Sequence, residues 1–368
     1  MSETRSPASS VHPVVRVTGN FQSESPIHLK AFEVLQAAFE NGWADPAKLS
    51  QSGARARQLK NNALESIGSA LSIEVDSIVP VSPASLGYFV GIQGLNRGSS
   101  SLIHGATDRK DVFAIASKTA HQLLKSDLTG KLHSEKTQSK GSVLALQIAN
   151  AETGVIQDCQ AIINDVKPDH IFLDATTSGI RVPLIDQFST ALFDSKSWYG
   201  PSGLAFLVLK KPSEWSNPLP HLNAAHPNFD VSLPLLLAAA VALENFSAEV
   251  ASANTQAREF NEQLRNAFSQ LADIDIAGQL DSSLPHLLSV SFLNCNGEEL
   301  LREIQNDGYS VDSGSACTAD NLEPSHVLAA MGVLTHGNIR ITIHPGTTQE
   351  EIDGLISSVS KNVQRQRR

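Results

Sequence analysis

The sequence predicts an α/β fold: a large domain with a mostly parallel sheet flanked by helices, followed by a smaller α+β C-terminal domain. Short β-branched runs alternate with helical stretches as far as about residue 210, the pattern of a parallel sheet covered on both faces. Ser232–Phe246 (SLPLLLAAAVALENF) is almost wholly apolar and reads as a buried helix that feeds a long amphipathic one and links the two domains. The last third returns to a mixture of strands and helices. At 368 residues with 41% apolar content, the chain exceeds what one small core can organise.

The elements follow in order. Residues 1–13 are polar and proline-containing and are expected to be a disordered tail. Ser25-Pro26 is expected to open a helix with Ile27, Ala31, Val34, Leu35 and Ala38 on one face, closed by Asn41-Gly42. Leu59, Ala63, Leu64 and Ile67 mark a second helix. Val112–Ala116, Val143–Ala149, His170–Leu173 and Leu204–Leu209 read as strands. Beyond the apolar helix come a strand at Leu287–Phe292, a helix from about Gly297 to Asn306 and a strand at Ile339–Ile343. A final helix has a start, Thr347-Thr-Gln-Glu350, that fits a capping box. The expected division is 14–245 for the large domain and 246–368 for the small one, with the first helix a candidate to pack on the small domain.

Composition excludes several classes of function. The net charge of −10 comes from acids and bases mixed along the chain, which argues against a nucleic-acid surface. No apolar run in the sequence reaches the roughly 18 to 20 residues that cross a bilayer, and MSETRSPASSVHP lacks the apolar middle of a secretory signal. A cytoplasmic protein without a membrane partner is expected. The three cysteines, Cys159, Cys295 and Cys317, are widely spaced and odd in number, so neither a disulfide framework nor a CxxC metal site is available. One that matters would act as a thiol.

The most specific stretch is Ser313-Gly-Ser-Ala-Cys317-Thr, followed by Leu322-Glu-Pro-Ser-His-Val-Leu328 and Ile339-Arg340-Ile341. Small residues around a thiol give an accessible loop, which suits a nucleophile that must travel. These words resemble the nucleophile loop of cysteine desulfurases, pyridoxal-phosphate enzymes of the class V aminotransferase fold. The resemblance extends to Asn150-Ala-Glu-Thr-Gly-Val-Ile-Gln157, His170-Ile-Phe-Leu-Asp174-Ala-Thr-Thr177-Ser178 and Ser117-Lys-Thr-Ala-His121.

The resemblance implies a role for each matched residue. Cys317 would take sulfur from a cysteine adduct of pyridoxal 5'-phosphate, carry it as a persulfide and leave alanine. Asp174 would hold a proton on the cofactor's ring nitrogen, keeping the ring an electron sink. His121 would stack on that ring and shuttle protons. Arg340 would clamp the substrate carboxylate, with Asn150 also on the substrate. A homodimer and a sulfur-acceptor protein are implied partners, with an amino acid as substrate.

The chain departs from the family pattern where the cofactor is held. Asp194-Ser-Lys-Ser197-Trp-Tyr-Gly-Pro201 stands in place of SGHKxxGP, which puts Ser197 at the Schiff-base lysine and Lys196 at the preceding histidine. Serine cannot supply an amine. Pro83-Ala-Ser85 replaces a phosphate-binding Gly-Ala-Thr, with Ser85 keeping a hydroxyl. Ala151 replaces an asparagine, Thr177 a glutamine, and His344-Pro345 a Gly-Arg, while the N-terminal active-site motif is unrecognisable in Arg16–Glu24.

Three readings follow. In one, Lys196 serves as an unconventional cofactor lysine in a working enzyme, with Asp174, Ser85, Thr177 and Ser197 as further cofactor contacts. In the second, a non-catalytic paralogue acts as partner subunit or sulfur carrier. In the third, a class V aminotransferase acts on another amino acid.

Overall fold

The computed structural model describes residues 13–24, 26–41, 44–96, 101–134, 141–221, 229–313 and 324–368. Cys317, Ser25, Gly42 and all but the last residue of the expected 1–13 tail lie outside them.

Two helices come first, α1 (Leu29–Glu40) and α2 (Gln51–Leu71). The opening of α1 corrects the expectation at Ser25-Pro26: His28 is the N-cap, its Nδ1 accepting from the Lys30 N–H at 3.2 Å. Asn41 caps the other end, as its position predicts.

The main sheet then builds as β1 (Ile78–Val81), α3 (Ala84–Gln93), β2 (Ser101–Gly105), α4 (Lys110–Ala116), β3 (His121–Leu124), β4 (Ser142–Gln147), α5 (Cys159–Val166), β5 (His170–Asp174), β6 (Thr190–Asp194) and β7 (Ala205–Leu209). Its order is β1-β7-β6-β5-β4-β2-β3. The run from β6 to β3 is parallel, whereas β7 joins β6 and β1 joins β7 antiparallel. Buried side chains line both faces of β4 and β7 along their whole length, which accounts for the continuous apolar runs by which they were legible.

The stretch Val112–Ala116, expected as a strand, is the body of α4. Its β-branched residues sit on the packed face of a short helix, with Val112, Ile115 and Ala116 buried and the intervening positions more open. A helical i, i+3, i+4 spacing therefore underlies what looks like a β-rich run.

The apolar stretch is part of α6 (Leu233–Phe268), 36 residues long, with Ser232 as the N-cap. By length and composition this helix could cross a bilayer, which the stretch in isolation was too short to do. Its apolar half is instead inside the protein: Leu236, Ala238, Ala239, Ala242, Leu243 and Phe246 are fully buried, and the Trp198 indole donates to the Ala239 carbonyl at 3.2 Å. The first half packs in the core of the main sheet and the second, through Phe260, Leu264 and Phe268, in a separate core.

That second core is built on β8 (Ile274–Ile276), β9 (Leu287–Phe292), α7 (Gly297–Asn306), β10 (Asn338–Thr342) and α9 (Gln349–Gln366), while α8 (His326–Met331) packs Val327, Leu328 and Met331 in a small separate cluster with Ala277. The three strands pair antiparallel in the order β10-β9-β8. The capping box of α9 lies one residue later than expected, with Thr348 Oγ1 accepting from Glu351 N–H and Glu351 Oε2 accepting from Thr348 N–H.

Chain from the other end also enters this core. Phe21 is fully buried in it, and the Arg16 guanidinium forms a two-pronged pair with Glu351 at 2.9 and 2.6 Å. The helix α1 packs on α6 and the main core instead.

Candidate functional site

The parallel strands β5 and β6 end at Asp174 and Asp194, and ligand sites in open α/β sheets form beyond such carboxyl ends. A cavity of about 300 Å³ lies there, closed on the far side by β10 and the start of β9. Its charged walls are Arg109, Asp194, Lys196 and Arg340.

Asp194 turns the chain out of β6 by accepting the Lys196 N–H at 3.0 Å, which starts the tight turn Ser195–Trp198. A single helical turn rotates successive side chains by about 120°, so both Lys196 and Ser197 reach the cavity. An extended chain would instead send neighbouring side chains to opposite faces. Lys196 is half exposed, its Nζ 4.0 Å from Asp194 Oδ2. The Ser197 hydroxyl donates to the Asp194 carbonyl at 2.7 Å. Burial pushes the Asp194 carboxyl up, with the Lys196 N–H and ammonium acting in the opposite direction.

Arg340 reaches the cavity from β10, its Nη2 3.3 Å from the Ser313 carbonyl. Backbone bonds in both directions between Arg340 and Asp312, at 2.8 and 3.0 Å, fix the root of the segment that leads to Cys317. On the other side of that segment, Ser325 Oγ bonds Glu152 Oε2 at 2.6 Å and His326 Nε2 bonds the Asp108 carbonyl at 2.8 Å. The segment is thus pinned at both ends beside the cavity. Thr177 also lines it.

Asp174 lies behind the cavity wall. Its Oδ1 accepts the Thr176 N–H at 2.9 Å and the Thr176 hydroxyl at 2.6 Å, and its Oδ2 accepts the Tyr88 hydroxyl at 2.6 Å. Burial, then the facing carboxylate, raise Tyr88 well above the usual phenol range, so it remains a protonated donor.

Three expected residues stand elsewhere. His121 begins the edge strand β3, exposed and outside the cavity, its ring 5.6 Å from that of His104. The residue from this part of the chain that does reach the cavity is Arg109, the N-cap of α4. Asn150 is buried but spent on structure: its amide donates to the Thr107 carbonyl at 2.8 Å, and its oxygen accepts from the Glu152 and Thr153 N–H groups. Ser85 is exposed in the first turn of α3, away from the cavity lining. None of these three lines the cavity.

Arg109, Tyr88 and His286 were missed in the sequence. Burial holds His286 well below the usual imidazole range, with nearby Arg181 adding to it, so it lines the cavity as a neutral ring. The signal for Arg109 was its place one turn after β2, obscured by reading α4 as a strand.

Pyridoxal phosphate needs an amine for its aldehyde, a carboxylate for its ring nitrogen and N–H and O–H donors for its phosphate. The residues present do not fit the group as the resemblance would hold it. Ser197 offers no amine and turns its hydroxyl to the backbone. Asp174 is turned to Tyr88 and Thr176 and does not line the cavity. Pro83 lacks an N–H and Ser85 lies outside the cavity lining.

A family model described as "Aminotransferase class-V" matches residues 230–355. A cysteine desulfurase IscS from Vesicomyosocius okutanii is 34% identical over 238 residues, covering 61% of this chain and 58% of that protein. The IscS of Serratia proteamaculans is 30% identical over 338 residues, covering 81% of this chain and 82% of its own length. Among solved structures, a NifS-like protein superposes with a TM-score of 0.81 at 19% identity over 95% of this chain and all of its own. An apo cysteine desulfurase from Thermococcus onnurineus gives 0.82 at 14% identity over 99% of this chain and all of its own. The structural likenesses carry the fold, and the Serratia match carries the relationship: this chain belongs to the cysteine desulfurase family, with the fold of the class V aminotransferases.

Proposed function

We propose that this chain handles sulfur, with Cys317 carrying it as a persulfide, and that it works as a sulfur-accepting partner and not as a lysine-bound pyridoxal-phosphate enzyme. The observation that carries this is the pairing of a kept half with a lost half. The segment bearing Cys317 is rooted at the cavity through Ser313 and Arg340, whereas the amine position is Ser197 with its hydroxyl turned to Asp194 O.

In the proposed step the Cys317 thiolate attacks the terminal sulfur of a donor persulfide. The donor's S–S bond breaks, the donor leaves as a thiolate with the bonding pair, and a persulfide forms on Cys317 with no net oxidation. From Ser313 four residues of chain reach at most about 14 Å, which lets the thiol present itself at the cavity mouth or to a partner. The reading includes a homodimer, a further sulfur-acceptor protein and a cytoplasmic setting. The domain division 14–245 and 246–368 is part of it, with α6 crossing the boundary.

A second reading is favoured by Lys196, whose side chain lines the same cavity. In it the chain is a complete cysteine desulfurase that takes sulfur from L-cysteine onto Cys317 and releases alanine, with Lys196 holding pyridoxal phosphate.

One pair of incubations separates the two. With glutathione persulfide, the first reading expects Cys317 to gain the mass of one sulfur atom, a gain lost in Cys317→Ser. With L-cysteine and added pyridoxal phosphate it expects no alanine. Alanine formed in stoichiometric excess over protein would establish the second reading and end the first.

A further inference from the structure

Tyr88 forms the layer between the cavity wall and the carboxylate of Asp174. Arg109 and Thr176 are part of that wall, and both touch Tyr88. The Thr176 hydroxyl lies 2.9 Å from the phenol oxygen, and the Arg109 guanidinium, which Asp174, Asp111 and Asp194 also attract, lies over the ring at 5.9 Å from its centroid. Phe172 packs against the same ring at 5.7 Å and 49°, and the phenol donates to Asp174 Oδ2 at 2.6 Å. Tyr88 is 1% exposed and sits in the middle of α3, so a packed helix sets the position of its ring.

A donor at one end of a ring, a cation over its face and an aromatic neighbour are the contacts by which a protein holds a bound ring. A buried carboxylate needs such a donor. A ring that belongs to the chain supplies it without losing translational freedom, so a free ligand competes at a disadvantage. We propose that Tyr88 is a built-in occupant of a ring-binding subsite at Asp174, an autoinhibitory contact that closes this end of the cavity to heteroaromatic ligands. The misfit of the site to pyridoxal phosphate then has a cause in one residue, on an element that does not itself line the cavity. The inference deepens the reading above that no lysine-bound pyridoxal phosphate works here, and rests on it.

The test is titration calorimetry of the full chain with pyridoxine and 4-methylphenol as probes. Tyr88→Ala should bind both about tenfold or more tightly than the parent chain. Tyr88→Leu, a milder truncation, should bind pyridoxine about threefold more tightly than the parent, and thermal melts show which variants are folded. In Tyr88→Ala the absorption of bound pyridoxine should show its ring nitrogen protonated to a higher pH than in free pyridoxine, because the Asp174 carboxylate favours the N–H cation. Adding Asp174→Asn should remove that shift. Binding of 4-methylphenol without pyridoxine, the result of a sealed hole under an ordinary core tyrosine, would overturn the proposal. So would equal pyridoxine affinities in the parent and a folded truncation, a protonation shift that survives Asp174→Asn, or the same shift in the parent chain. The parent is also treated with pyridoxal phosphate and borohydride: a trapped lysine adduct would sink the functional reading and this inference together, whereas an adduct-free parent whose folded truncations gain no pyridoxine affinity would sink this inference alone.

Discussion

Single residues decide what this cavity can do. Tyr88 keeps Asp174 occupied, so Tyr88→Phe should leave a buried carboxylate one donor short and cost about 1–3 kcal/mol in denaturant unfolding. Glu351 offers a cleaner electrostatic test. Its burial works against ionisation, but the Arg16 guanidinium and the Gly19 and Thr348 N–H groups hold its carboxyl down at about 2. A depressed folded-state pKa means that the stabilisation is complete above the unfolded value of about 4.5 and is lost as pH falls through the folded value. Glu351→Gln should therefore lose roughly 3 kcal/mol at pH 7, and the gap to the parent chain should close between pH 5 and pH 2. A gap that is unchanged at pH 2 would contradict the assignment.

At the scale of elements, α6 ties two cores together. Phe246 is fully buried in the core of the main sheet, and the Arg181 guanidinium packs 4.9 Å from its ring centroid. Phe246→Ala should cost about 3–5 kcal/mol, read in thermal or urea unfolding. A cost below about 1 kcal/mol would mean that this half of α6 is not the core helix described. The strands and helices most legible in the sequence were those whose burial is complete or whose ends carry strong caps: β9 and α7 fall where the pattern puts them. The misreading of α4 arose because Val112 and Ile115 satisfy a β-rich composition and a helical spacing at once in seven residues. His121, matched through the word Ser117-Lys-Thr-Ala-His121, stands outside the cavity lining, whereas Arg109 at the start of α4 is part of it. The sequence could place Arg340, Lys196 and Ser197 because each sits in a word anchored by neighbours, whereas Asn150 and Ser85 kept familiar words in positions the folded chain uses for a turn or exposes to solvent.

For the whole molecule, the family fold persists, while the cavity is lined by a different set of groups from the one the resemblance implies. The main sheet still brings the ends of β5 and β6 to a cavity covered by β10, and the Cys317 segment is still rooted at its edge. What the cavity presents is a set of guanidiniums, an ammonium and one carboxylate, with no amine at the Ser197 position. The most direct test of the central claim is the absorption spectrum of the purified protein with added pyridoxal phosphate, followed by borohydride reduction and peptide mapping. The account predicts no shifted visible band and no reduced adduct on Lys196. A stoichiometric adduct at Lys196 would contradict it and make this chain a lysine-shifted pyridoxal-phosphate enzyme.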